Sequence, residues 1–177
     1  MNKDNLKARK PAVPSEKYLG VLIGVSKNKA LYELLRLICA IAVLYSIFLF
    51  GVTLATKSLV EAIELAALAA IPFVIVTLVR RAVNAPRPYE LFSEIYDTPP
   101  KHKKGLSFPS RHVFSAFLVA TVAMPSSPIL ASVALLLGAC LAASRVLLGI
   151  HFIRDVVAGA LLGLLSGAIA ILVLFLI

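Results

Sequence analysis

Between Ser144 and Asp155 the sequence reads Ser-Arg-Val-Leu-Leu-Gly-Ile-His-Phe-Ile-Arg-Asp. Two arginines, a histidine and an aspartate lie here between two long apolar runs, where burying charge is costly. At helical spacing His151 and Asp155 stand one turn apart on a shared face. The carboxylate is then placed to hold one imidazole nitrogen and fix the tautomer. Arg145, a little earlier, supplies a permanent cation. Taken alone, the stretch also reads as a positively charged membrane flank with an incidental histidine. Two more polar clusters weigh against that. One is Arg80-Arg81-Ala-Val-Asn-Ala-Pro-Arg87-Pro88, the other Phe108-Pro109-Ser110-Arg111-His112. Arginine suits planar, multi-donor recognition of phosphate oxygens. Pro109 fits the first turn of a helix, whose free amides welcome an anion, and Ser110 adds a hydroxyl donor. Two histidines cover both halves of a phosphoryl transfer: one attacks phosphorus, the other protonates the leaving oxygen.

Apolar segments must position these residues. With 177 residues, 60% of them hydrophobic, and a mean hydropathy of +0.93, the chain is too apolar for a soluble globule of its size. The composition specifies a single-domain integral membrane protein. The net charge of +9 is concentrated in a few places. With no aromatic-interleaved basic surface or groove-reading motif, nucleic acid is excluded as a partner. Cys39 and Cys140 fall inside apolar runs and read as small core residues, not a disulfide or metal pair. No secretory signal is evident, because the first long apolar run follows about thirty mostly polar residues.

The pattern predicts an all-α bundle of about five transmembrane helices, over residues 34–55, 59–79, 111–124, 129–148 and 156–177. The second, as a helix, is about 31 Å long, enough to cross a hydrocarbon core. Pro72 should kink it. Residues 1–33 form a basic N-terminal segment, and 34–177 the transmembrane domain. Within the former, Tyr18 to Val25 is either an interfacial helix or a lead-in to the first span. In the last span Gly159, Gly163 and Gly167 recur every four residues, a small-residue face for close helix approach. Continued backwards at that spacing, the face reaches Asp155 and His151, which a continuous helix would aim into the bundle.

Five spans put 17 of the 18 Lys and Arg on one side, with Lys57 alone opposite. By the positive-inside rule that side, which holds all three clusters, is cytoplasmic. Glu61 and Glu64 fall at the opposite interface and read as helix-N-terminal carboxylates rather than a proton relay. His102 reads as a solvated loop residue, and Lys101, Lys103 and Lys104 as headgroup contacts or topology signals. Tyr89, Phe92 and Tyr96 read as interfacial anchors, with guidance of an acyl chain as the alternative.

The three clusters together resemble the signature of the type 2 phosphatidic acid phosphatase superfamily, which shares its core with vanadium haloperoxidases. The family pattern is Lys-x6-Arg-Pro, then Pro-Ser-Gly-His, then Ser-Arg-x5-His-x3-Asp. This chain keeps Arg87-Pro88, Pro109-Ser110, His112, Ser144-Arg145, His151 and Asp155 in order and spacing. Arg80 stands where a lysine is usual, and Arg111 where a glycine brings its amide to the phosphate. The Arg111 side chain either adds a cation or points at lipid headgroups.

The resemblance implies His151 as the nucleophile that forms a phosphohistidine, Asp155 as its orienting partner, and His112 as general acid and later base. Arg80, Arg87, Ser110, Arg111 and Arg145 would bind the phosphate, with neither metal nor other cofactor required. The implied activity is hydrolysis of a lipid phosphomonoester or diphosphate, of phosphatidate, phosphatidylglycerophosphate or polyprenyl phosphate type, at a bacterial or archaeal plasma membrane. The alternatives are a lipid phosphotransferase and a non-catalytic lipid-binding protein. The family commonly has six spans and often faces outward. This chain is expected to lack the first and to face inward.

Overall fold

The computed structural model describes residues 16–92 and 104–176. The expectations for residues 1–15, Tyr96, Lys101, His102 and Lys103 lie outside them. Every regular element among the described residues is a helix: α1 (Glu16–Lys27), α2 (Lys29–Ala55), α3 (Leu59–Val83), α4 (Pro88–Leu91), α5 (Arg111–Ala123), α6 (Pro128–Leu147) and α7 (Ile153–Leu176). Helices α2, α3, α6 and α7 are each long and apolar enough to cross a bilayer. Their outward faces carry exposed Leu44, Ile47, Leu136, Leu165 and Phe175, as lipid contact demands and water would not tolerate at this density. The protein is an integral membrane bundle.

The ends of the spans follow from local capping. Asn28 breaks α1 from α2 and accepts the Leu31 amide at 3.0 Å. Helix α2 therefore starts five residues before the predicted Leu34, and the exposed Glu33–Arg36 ion pair at 3.1 Å supports its first turns. Ser58 and Glu61 form a reciprocal capping box at the start of α3. That agrees with the reading of Glu61 as a helix-N-terminal carboxylate. Helix α3 runs through Pro72 to Val83, past the predicted Val79, and stops at Asn84 in the left-handed region with φ 40°. Two cysteine expectations diverge. Cys39 is a buried core residue, whereas Cys140 is exposed on the outer face of α6.

Helix α5 is only 13 residues, about 20 Å, and too short to cross alone. It need not meet lipid along its length, because α2, α3, α6 and α7 all pack against it. Its buried residues include Val113, Phe114, Ala116, Leu118, Ala120 and Ala123. The shortest span is therefore the central post.

The glycine stripe of α7 lies against that post. A Cβ added at Gly159 would meet the Ser110 carbonyl oxygen at 2.6 Å, and one at Gly163 the Phe114 oxygen at 2.4 Å. Between lipid-embedded helices, van der Waals packing rather than water exclusion drives association, so this approach is a large part of what holds them. The stripe does not continue as helix to His151, contrary to the expectation. Gly149 turns the chain at φ 65°, the Ile150 and His151 amides both bond to the Arg145 carbonyl, and α7 starts only at Ile153. The Gly163→Leu substitution should lower the thermal midpoint of the detergent-solubilised protein, at a cost of about 1–3 kcal/mol. Gly51→Ala, whose added Cβ meets nothing within 4 Å, should leave the midpoint unchanged or raise it.

Candidate active site

At one rim of the bundle the three polar clusters meet. The end of α3 and the 84–92 segment bring Arg80 and Arg87, the start of α5 brings Arg111 and His112, and the last turn of α6 and the turn after it bring Arg145 and His151. All six side chains line one cavity of about 460 Å³, joined by Arg81. Among the described residues no carboxylate lines it.

Backbone carbonyls aim the arginines. Arg80, nearly buried, donates through Nη1 to the Pro109 carbonyl and so ties α3 to the turn before α5. Arg87 donates from Nε to the Gly105 carbonyl at 2.9 Å, and its guanidinium lies 5.9 Å from the Tyr89 ring centroid. Glu90 accepts the Gly105 amide at 2.7 Å and the Arg87 amide at 3.3 Å, which clips the two segments together. Arg145 sits in the last turn of α6 with its Nε buried and unpartnered among the described residues. A neutral carbonyl holds a guanidinium in place without cancelling its charge. The cavity is therefore a preorganised cationic cradle for a multiply charged oxyanion.

His151 and Asp155 come together, but not as two residues on one helix. The imidazole is buried in the turn, and its Nδ1 lies 3.8 Å from Asp155 Oδ2, too far for a hydrogen bond. Ser107, fully buried, fills the gap. Its hydroxyl donates to Asp155 Oδ2 and lies 3.3 Å from His151 Nδ1. With its hydrogen engaged by the carboxylate, the Ser107 oxygen is left to accept from Nδ1–H, a tautomer that keeps the Nε2 lone pair free. Asp155 also accepts the Phe152 amide at 3.0 Å, which caps its own helix. Burial, aided by Arg87 and Arg80, holds the His151 pKa below the ordinary histidine value against the opposing pull of Asp155. The ring is thus neutral near neutral pH.

His112, in the first turn of α5, is exposed where it lines the cavity. Arg111 is half-buried, with its guanidinium carbon 5.3 Å from the Phe73 ring centroid. Ser110 departs from the expected arrangement. It is the N-cap of α5, so Pro109 precedes the helix rather than opening its first turn. Its amide is spent on the Asp155 carbonyl at 2.8 Å. Its hydroxyl is buried, without a hydrogen-bond partner among the described residues, and the residue is not part of the cavity lining. Tyr89 departs too: it is buried beneath Arg87, and its amide bonds to the Gly149 carbonyl at 3.1 Å, so it is no interfacial anchor. Ser107 was not legible as a site residue. The one signal in the sequence was a serine three positions before Ser110, on the same short segment.

Two solved structures share this architecture. One is the transmembrane PAP2-type phosphatidylglycerolphosphate phosphatase from Bacillus subtilis, with TM-score 0.67 and 17% identity, over 87% of this chain and 82% of that one. The other is LpxE from Aquifex aeolicus, with TM-score 0.66 and 23% identity, over 85% of this chain and 90% of that one. No curated protein matches. The profile of the PAP2 superfamily covers residues 61–176, a span that contains all three clusters, and the chain belongs to that superfamily.

Proposed function

We propose that the protein is a membrane-embedded lipid phosphate phosphatase working through a phosphohistidine. The observation that carries the reading is the single cavity in which two histidines and the arginines of three distant segments converge, with no facing carboxylate among the described residues. Membership of the superfamily supports it, as does the shared fold with a phosphatidylglycerolphosphate phosphatase.

Arg80, Arg87 and Arg145 hold the non-bridging oxygens of the phosphoryl group and take up the charge that spreads over them in the transition state. Arg111 serves the same anion from the start of α5. Ser110 is the weakest member of the expected set, since its hydroxyl reaches a phosphate oxygen only if the buried face opens. Neutral His151 attacks phosphorus through Nε2, while Asp155 and Ser107 hold Nδ1 and stabilise the positive charge that develops on the ring. His112 gives a proton to the departing oxygen, then takes one from the water that cleaves the phosphohistidine. Imidazole and guanidinium groups supply both nucleophile and charge, so no step is routed through a metal. The headgroup meets the arginines while the tail stays in the bilayer. The basic side, and with it the cavity, faces the cytoplasm.

His151→Ala should abolish phosphate release from mixed micelles of phosphatidate or a polyprenyl phosphate while the thermal midpoint is kept. Vanadate should inhibit the wild type and EDTA should not. Turnover by the alanine variant would remove the nucleophile, and complete loss in chelator would replace this chemistry with a metal-dependent one.

Ser107→Ala removes the hydroxyl that bridges the pair, and kcat should fall about 10- to 100-fold with KM little changed. An unchanged kcat would show that Asp155 orients the ring without it. A cysteine at Lys104 should resist membrane-impermeant maleimide in intact cells and react after lysis. Ready labelling from outside would reverse the assigned topology.

A further inference from the structure

Two apolar cavities adjoin the arginine-lined one, and they are not equivalent. One, of about 420 Å³ between α2, α3 and α5, shares Arg111 and His112 with it. This cavity continues past Phe50 and Phe73 into a further space of about 220 Å³ along α5. The other, of about 410 Å³ between α2 and α6, shares only Arg145 and touches neither histidine. A displacement at phosphorus runs roughly in line, so the leaving group departs away from His151 and toward the acid that protonates it. The cavity that begins at His112 therefore receives the leaving group and its tail.

Arg111 stands at that threshold, lining the polar and the apolar cavity alike, with its guanidinium over Phe73. An alcohol leaves neutral once His112 has supplied a proton, and has no use for a fixed cation there. A leaving group that is itself a phosphate does. The charge balance agrees: among the described residues five arginines and no carboxylate line the polar cavity, whereas one phosphomonoester brings at most about two negative charges.

We propose that the substrate is a lipid diphosphate. Its tail lies in the furrow between α2 and α3, its ester-side phosphate on Arg111, and its terminal phosphoryl group among Arg80, Arg87 and Arg145. His151 Nε2 bonds to the terminal phosphorus as the bond from that phosphorus to the bridging oxygen breaks. The bond's electron pair stays on that oxygen, which takes the proton from His112 and departs as lipid monophosphate. Water then attacks the phosphohistidine, gives its proton to His112, and inorganic phosphate leaves with the N–P bond broken.

This rests on the phosphatase reading, and the test separates the two. Purified protein is assayed for kcat/KM on hexadecyl diphosphate and hexadecyl phosphate, which differ only by one phosphate group. A phosphate is intrinsically the better leaving group, so the deciding quantity is how the preference depends on Arg111. The wild type should favour the diphosphate at least tenfold. Arg111→Gly, which restores the usual family residue, should shrink that preference by about tenfold, and Arg111→Lys should recover most of it. A wild type that prefers the monophosphate, or a preference untouched in Arg111→Gly, overturns the diphosphate assignment and leaves the phosphatase standing. Phosphate released from neither substrate by protein with an intact thermal transition overturns both.

Discussion

Everything at the polar rim depends on how closely α5 and α7 approach. Gly159 and Gly163 put the backbone of α7 directly on the carbonyls of Ser110 and Phe114, and the Ser110 amide donates to the Asp155 carbonyl. The two helices are thus joined backbone to backbone at the level of the site. That contact sets how far the base of α5, with His112, stands from the start of α7, with Asp155 and the His151 turn. A side chain on any of these glycines would sit between the two histidines' supports. In lipid, where one apolar neighbour is as good as another, helices have little reason to prefer one register. Backbone contact supplies that reason.

A second set of ties fixes the arginines from the other side. The Ser107 amide bonds to the Ala85 carbonyl at 2.9 Å, and the Tyr89 amide to Gly149, so the segments after α3 and before α5 and the α6–α7 turn are laced through their main chains. Arg80 and Arg87 join this lacing as donors to carbonyls, not as partners of carboxylates. The choice has an electrostatic consequence. An arginine paired with aspartate would be neutralised before any anion arrived, whereas one anchored on a carbonyl keeps its charge for the ligand. Among the described residues the one buried carboxylate near the cavity, Asp155, is turned instead to Ser107, Phe152 and His151, and the arginine it pairs with, Arg154 at 3.5 Å, does not line the cavity.

This division explains what the chain disclosed before any coordinates. Hydropathy located every span to within a few residues, since a bilayer imposes length and apolarity on any sequence that crosses it. The ends moved where a cap decided them, at Asn28 and Asn84. The three clusters were legible because so many cations beside apolar runs require an explanation. The glycine stripe was legible because its period is that of a helix. What escaped was whatever depends on chain reversal. Gly149 ends the helical register, so the His151–Asp155 pair is made across a turn and needs Ser107 as intermediary. A serine placed by tertiary contact leaves no periodic trace. Ser110 is the opposite case: its type suggests a donor, and its hydroxyl lies buried without a hydrogen-bond partner among the described residues.

The two histidines differ in a way that matches the roles proposed for them. His151 is 2% exposed, hydrogen-bonded on one nitrogen and surrounded by arginines. Burial and the neighbouring arginines oppose protonation against the pull of Asp155, and a nucleophile is useful only while its lone pair is free. His112 is exposed and opens on the apolar furrow as well as the polar cavity. In the proposed cycle one ring must meet first the departing oxygen and then the incoming water, and a ring open to both cavities can do so. The contrast in exposure fits the proposed division of labour, one imidazole held in place by its neighbours and the other open to both cavities.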